Sequence, residues 1–212
     1  MLPDQLNIAV FASGRGSNLR AILDAIKAGK IRNTQIVAVI SNNSDAGALG
    51  IARENKIPAV HLSRKYFEPD ETFNDAVLQK LQEHKVNFIV LAGYMKKIDR
   101  SLIRAYKNRM LNIHPALLPE FGGKGMYGMH VHEAVIACGA KISGATIHVV
   151  DEEYDHGPIV IQRTVRIAPN ETPETLAAKV STVEHEIYPE AIRYFAKGRV
   201  KFNGQKITIE NE

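Results

Sequence analysis

Leu6-Asn7-Ile8-Ala9-Val10-Phe11 runs into Ala12-Ser13-Gly14-Arg15-Gly16-Ser17-Asn18, after which Leu19, Ala21, Ile22, Leu23 and Ile26 recur at helical spacing. A buried strand thus passes through a glycine-containing turn into an amphipathic helix that stops at Gly29. The same alternation continues along the first half. Gln35 to Ser41 predicts a second strand, about Asp45 to Asn55 a helix, and Pro58 to Leu62 a short third strand. Pro69-Asp70-Glu71 marks a further helix start, with Phe73, Val77 and Leu81 as its apolar stripe. Phe88-Ile89-Val90-Leu91-Ala92 is wholly apolar, as a parallel strand covered on both faces must be. This β-α-β-α order specifies an α/β fold with a doubly wound, mostly parallel sheet.

The second half changes character. Met110-Leu111-Asn112-Ile113-His114 predicts a strand closed by Pro115, and the glycine-rich stretch from Pro119 to Gly128 predicts a loop. A helix is expected from about His130 to Cys138, then strands at Gly144 to Val150 and Ile159 to Ile167 around a turn at Asp151 to Pro158. Thr172-Pro173-Glu174 opens a long helix to about Lys197, with Thr172 as cap and Pro173 at the first helical position. No repeat or linker interrupts the chain. The reading is two lobes on one continuous sheet.

Composition narrows the function. Hydrophobic residues at 45% and charged residues at 24% over 212 positions describe a globular chain and exclude disordered or fibrous classes. The net charge of +4 comes from scattered basic residues, which argues against nucleic acid and for a small anionic ligand. The single cysteine, Cys138, excludes an internal disulfide and is expected to be buried bulk in its helix. No apolar run reaches the ~20 residues that span a bilayer, so no membrane partner is expected. A strand pattern from Leu6 without a basic leader predicts a cytoplasmic protein.

Three clusters could carry chemistry. Gly16-Ser17-Asn18 stands between a strand and a helix, where backbone N–H groups and the helix dipole favour an anion. The stretch lacks the Lys-Ser/Thr ending of a Walker loop and the third glycine of a dinucleotide fingerprint. A single phosphate, or a plain tight turn with a Ser/Asn cap, fits it. Asn112 and His114 alternate on one strand and so face the same side near its C-terminal end. An amide beside an imidazole suits a developing oxyanion, although backbone-satisfied strand-end side chains would look the same. Asp151-Glu152-Glu153-Tyr154-Asp155 forms an acidic turn whose first three carboxylates read as solvated. Asp155, directly before His156-Gly157-Pro158, is the one expected near His114, where it would raise the imidazole pKa. The histidines lack metal-ligand spacing, so no metal is expected, and no Gly-x-Ser-x-Gly elbow occurs.

Taken together, Ser-Gly-Arg-Gly-Ser-Asn at 13–18, Leu-Ala-Gly-Tyr-Met at 91–95 and Leu-Asn-Ile-His-Pro-Ala-Leu-Leu-Pro at 111–119 carry a resemblance. With Gly144 to Pro158 and Glu184-His185…Ile187-Tyr188-Pro189, the chain resembles the glycinamide ribonucleotide formyltransferases over nearly its whole length. The resemblance implies one formyltransferase domain over 1–212. Its N-terminal lobe, about 1–107, would be mononucleotide-binding and Rossmann-like, and about 108–212 would be the folate-binding and catalytic lobe. It implies that Gly16, Ser17, Asn18 and Glu184 bind the ribonucleotide. Met95, Lys96, Lys97 and Ile98, together with Asn112 and Asp151, Glu152, Glu153, Tyr154 and Asp155, would line the folate site. Asn112, His114 and Asp155 would be catalytic.

The implied reaction moves the formyl group of 10-formyltetrahydrofolate to the glycyl amine of glycinamide ribonucleotide, without a metal, in a monomer or homodimer. Alternatives are a formyltetrahydrofolate hydrolase, another formyltransferase of the superfamily, or a non-catalytic nucleotide-binding protein that would not need the trio. The segment Phe67–Phe73 lacks an Arg common near the folate tail, and Phe121–Gly128 is longer than the usual loop.

Overall fold

The computed structural model describes residues 5–67 and 70–210, so Pro69 of the helix start read at 69–71 lies outside the described residues. The chain divides into two compact units, Met1–Met110 and Leu111–Glu212.

The first unit alternates β1 (Leu6–Phe11), α1 (Ser17–Lys27), β2 (Thr34–Ser41), α2 (Gly47–Glu54), β3 (Ala59–His61), α3 (Asp70–Glu83), β4 (Phe88–Leu91) and α4 (Arg100–Ala105). Its strands run in the order β3-β2-β1-β4, and each adjacent pair is parallel. The reason lies in residue type. All four residues of β4 are buried, and β1 buries five of its six, so these strands need cover on both faces. Helix α1 turns Leu19, Ile22 and Leu23 inward, and α3 buries Phe73, Val77 and Leu81, the stripe expected for it. Helix α4 was not read from the sequence. Its signal is the Asp99 side chain, which accepts the Ser101 N–H at 2.8 Å and caps the helix.

The later elements are β5 (Met110–His114), α5 (Met129–Ala137), β6 (Ile142–Val149), β7 (Ile159–Arg166), α6 (Pro173–Ala196) and a terminal hairpin, β8 (Val200–Asn203) and β9 (Lys206–Ile209). Strands β5, β6 and β7 pair antiparallel, so the seven-stranded sheet, β3-β2-β1-β4-β5-β6-β7, is mostly parallel with an antiparallel end. Thr172 caps α6 as expected. Its hydroxyl accepts from Thr175 N, the Thr175 hydroxyl accepts from Thr172 N, and Pro173 takes the first turn. The fully buried Tyr188 of α6 donates its hydroxyl to Leu111 O on β5 at 3.1 Å. The β8–β9 hairpin, also not read, turns over Gly204-Gln205 with Gly204 at φ +62°, a two-residue loop that favours glycine first. No helix among the described residues is long and apolar enough to cross a membrane.

Two glycines show where backbones must touch. A Cβ on Gly144 of β6 would lie 2.1 Å from Arg163 O and 2.6 Å from Leu117 Cδ2. One on Gly157 would lie 1.8 Å from Val149 O. These positions exclude side chains through sterics, and neither has a positive φ. Cys138 departs from expectation. It follows α5 at the helix end, is exposed, and its Sγ bonds Val135 O at 3.2 Å. The last turn faces solvent, so the residue is not core bulk.

Gly144→Ala should destabilise the chain by about 3 kcal/mol or more, because a backbone oxygen cannot move aside as a side chain can. Gly29, at φ +70° after α1 with open space around its Cα, should lose only about 1–2 kcal/mol on the same change. Paired urea denaturations test this. Equal losses would show that the Gly144 crowding is relieved by a small backbone shift.

Candidate active site

The second unit brings together Asn112, His114 and Asp155. Antiparallel register sets Asn112 opposite His148 and His114 opposite Thr146, so β5 and β6 present four polar side chains at alternate rungs of one face. Thr146, fully buried, donates its hydroxyl to Ala116 O at 2.6 Å and accepts from Leu118 N and Gln162 Nε2, each at 3.1 Å. One hydroxyl thereby pins the chain that leaves His114. Gly157, packed on Val149 O, brings the turn back so that Asp155, at φ +53°, reaches the same strand ends.

The carboxylate of Asp155 is the hub. Its Oδ2 lies 3.5 Å from His114 Nδ1 and accepts Gly123 N–H at 3.0 Å. Its Oδ1 lies 3.5 Å from His148 Nε2 and 3.4 Å from Asn112 Nδ2. Gly122 packs closely beside it: a Cβ there would meet Leu118 Cδ2 at 2.5 Å and Asp155 Cβ at 3.2 Å. Both imidazoles are almost wholly buried, and carbonyl oxygens, which only accept, assign their protons. His114 Nε2–H donates to Phe121 O at 2.8 Å, leaving Nδ1 toward Asp155. His148 Nδ1–H donates to Val149 O at 3.1 Å, so a neutral ring offers Nε2 to the Asn112 amide 3.0 Å away. The amide nitrogen of Asn112 is thus turned to the carboxylate side.

Burial pushes the His114 imidazole below its ordinary pKa; Asp155 and the Phe121 carbonyl act upward without offsetting it. Asp155 does exert the expected upward influence, but the net direction is the reverse of the expected rise. His132, buried on α5, is also held low by burial and by His114. Burial alone would raise Asp155, yet His148, His114 and the Gly123 amide outweigh it and hold the carboxyl below its usual range.

A formyl transferase family model matches residues 6–192 of this chain. The chain is 36% identical to the phosphoribosylglycinamide formyltransferase of Escherichia coli (strain K12), over 98% of this chain and 95% of that one. It belongs to the phosphoribosylglycinamide formyltransferases. The chloroplastic phosphoribosylglycinamide formyltransferase of Arabidopsis thaliana is 43% identical over 98% of this chain and 71% of its own. The crystal structure of glycinamide ribonucleotide transformylase 1 from Symbiobacterium toebii superposes with a TM-score of 0.92 at 36% identity, covering 98% of this chain and 95% of that one.

For this formyltransferase the remaining sequence-derived positions fall as follows. Gly16, at φ +83°, is the N-cap of α1; Ser17 is exposed and Asn18 buried. A Cβ on Gly16 would lie 2.8 Å from Ala48 Cα, so this glycine is demanded by packing against α2 as well as by its backbone angle. Met95, Lys96 and Lys97 are exposed in the turn after β4 of the first unit, and Ile98 is buried. In the second unit, Asp151 accepts Glu153 N–H at 3.0 Å and pairs with His156 at 2.9 Å, while Glu153 and Tyr154 are exposed and Glu152 half-buried. Glu184 is half-buried on α6. His148 is not among the candidate residues that the sequence singles out. Its signal is its place in β6, an even number of residues after Gly144 and Thr146, which puts all three on one strand face.

In the free protein the His114 ring should titrate below the ordinary ~6.5, and in Asp155→Asn lower still. Because its folded pKa is depressed, His114 contributes stability that is complete above pH ~6.5 and lost as pH falls through the folded value. Ring-proton NMR titration reads the midpoints directly. A midpoint above 6.5, or an upward move in Asp155→Asn, would contradict the assignment.

Proposed function

We propose that this formyltransferase moves the formyl group of 10-formyltetrahydrofolate to the amine of 5′-phosphoribosylglycinamide, in de novo purine (IMP) biosynthesis. The products are 5′-phosphoribosyl-N-formylglycinamide and tetrahydrofolate. The observation that supports this most is the cluster of buried His114 with half-buried Asn112 and Asp155 in a chain of this family. A nucleotide sensor would have no use for a largely enclosed carboxylate shared by two imidazoles and an amide.

In this reading, the neutral glycyl nitrogen attacks the formyl carbon and the carbonyl oxygen gains negative charge. Asn112 donates to that oxygen the amide hydrogen that otherwise reaches Asp155 Oδ1, its other hydrogen being held by His148 Nε2. His114 offers the Nε2–H that otherwise engages Phe121 O, so the Phe121–Gly123 loop must yield that donor. The developing anion raises the proton affinity of His114, and the proton that Nδ1 takes up beside Asp155 is the one the attacking nitrogen loses. The bond from formyl carbon to N10 then breaks. The proton lost by the attacking nitrogen passes, with Asp155 as relay, to N10. No covalent enzyme intermediate arises. Gly16, Ser17 and Asn18 would hold the ribonucleotide phosphate at the start of α1, and Glu184 its ribose. Met95–Ile98 and Asp151–Asp155 would line the folate.

Spectroscopic detection of tetrahydrofolate release with 5′-phosphoribosylglycinamide tests the reaction. Asn112→Ala, His114→Ala and Asp155→Asn should each reduce kcat by about a hundredfold or more while keeping the fold. Release of formate without ribonucleotide at a comparable rate would favour a hydrolase and overturn this reading.

The phosphate assignment has its own test. Ser17 is the first helical residue of α1, where a carboxylate favours the helix. Ser17→Glu should therefore retain or raise thermal stability, yet raise the ribonucleotide KM at least about tenfold by repulsion. The folate KM should stay within about twofold. An unchanged ribonucleotide KM would remove the phosphate from this loop.

A further inference from the structure

In the first unit the three parallel strands β2, β1 and β4 end side by side, and their following loops must diverge. Backbone bonding carries the ladder one step past the strands: Ala12 N–H donates to Ile40 O at 3.0 Å, Ala92 N–H to Phe11 O at 2.8 Å and Ser13 N–H to Gly93 O at 3.0 Å. Beyond that step a side chain takes over. The Ser13 hydroxyl donates to Asn42 Oδ1 in the loop after β2 at 2.5 Å and accepts the backbone N–H of Met95 in the turn after β4 at 2.8 Å. One hydroxyl, half-buried, thus spans all three loops. It uses its single hydrogen on one side and a lone pair on the other.

The neighbours of Ser13 make this bridge mechanically stiff. Gly14 O accepts Ala48 N–H of α2 at 3.2 Å, and Gly16 has no room to move toward Ala48. Asn43, beside Asn42, donates to Ser13 O at 3.5 Å and anchors the Asp45 N–H on its own side chain at 3.1 Å. The loop 14–16 is therefore braced against α2 on one side. On the other side Ser13 joins it to the Met95 amide.

We propose that Ser13 is a positioning residue that couples the ribonucleotide-phosphate loop to the folate-facing segment Met95–Ile98. Binding of the phosphate at 16–18 sets the Ser13 hydroxyl and with it the backbone that receives the second substrate, so each ligand strengthens the other. This rests on the reading of both segments given above. A bridge of one hydrogen bond on each side supports a coupling of about threefold to tenfold in affinity. The coupling is reciprocal.

The test uses the full chain, 5′-phosphoribosylglycinamide, and a 10-deaza folate analogue that cannot transfer a formyl group. In the wild type, saturating ribonucleotide should tighten analogue binding about threefold to tenfold by calorimetry. Ribonucleotide alone should slow hydrogen exchange of the Met95 amide. Ser13→Ala should bind each ligand singly yet lose the mutual tightening and the Met95 response, and Ser13→Thr, which keeps the hydroxyl, should restore both. Mutual tightening that persists in Ser13→Ala overturns the coupling while leaving the function intact. So does a wild-type Met95 amide that is indifferent to bound ribonucleotide, a readout that stands even if Ser13→Ala does not fold. Failure of the wild type to bind either ligand overturns the coupling and the functional reading together.

Discussion

The largely enclosed carboxylate of Asp155 is the interaction around which the second unit is arranged. A charge so placed is tolerated only when donors reach it, and here the Asn112 amide and the Gly123 N–H donate to it while the His114 and His148 rings stand 3.5 Å away. These groups come from three separate stretches of chain. Asn112 and His114 come from β5, His148 from β6 and Gly123 from the glycine-rich loop. The requirement to satisfy one carboxylate therefore fixes the register of two strands, the return of the turn at 151–158 and the position of the loop at 121–123.

Close backbone approach is the second constraint, and it explains the glycines at 144 and 157. Gly144 lets β7 approach β6 at Arg163, and Thr146, two residues on, ties down the chain after His114. Gly157 lets the turn close on Val149, which is what lifts Asp155 into the cluster. The glycines carry no chemistry, yet without them the chemical groups would stand apart. In the first unit Gly16 plays both parts, shaping the start of α1 and fitting against α2.

Much of this was legible from residue order. The parallel strands and their helices followed from wholly apolar runs such as 88–91 alternating with helical stripes, because burial on both faces leaves no other pattern. The trio was legible because Asn112 and His114 share a strand face and Asp155 precedes a Gly-Pro stop. Elements built on small cues were missed. Helix α4 rests on one aspartate cap and the β8–β9 hairpin on one glycine turn, signals that periodicity does not register.

Residue type and spacing alone thus establish the α/β class, the strand-turn-helix at 6–27, and the candidate acid, imidazole and amide, since these are local properties of neighbouring residues. The protonation balance of His114 is different in kind. A nearby carboxylate can be inferred from sequence, but the cost of burying the ring depends on everything packed around it, and that cost reverses the direction of the shift. The pairing of Asn112 with His148, 36 residues away, and the span of the Ser13 hydroxyl from Asn42 to Met95 likewise exist only once strands are laid side by side. Hydrogen bonds between distant residues depend on register, and register is a property of the folded sheet.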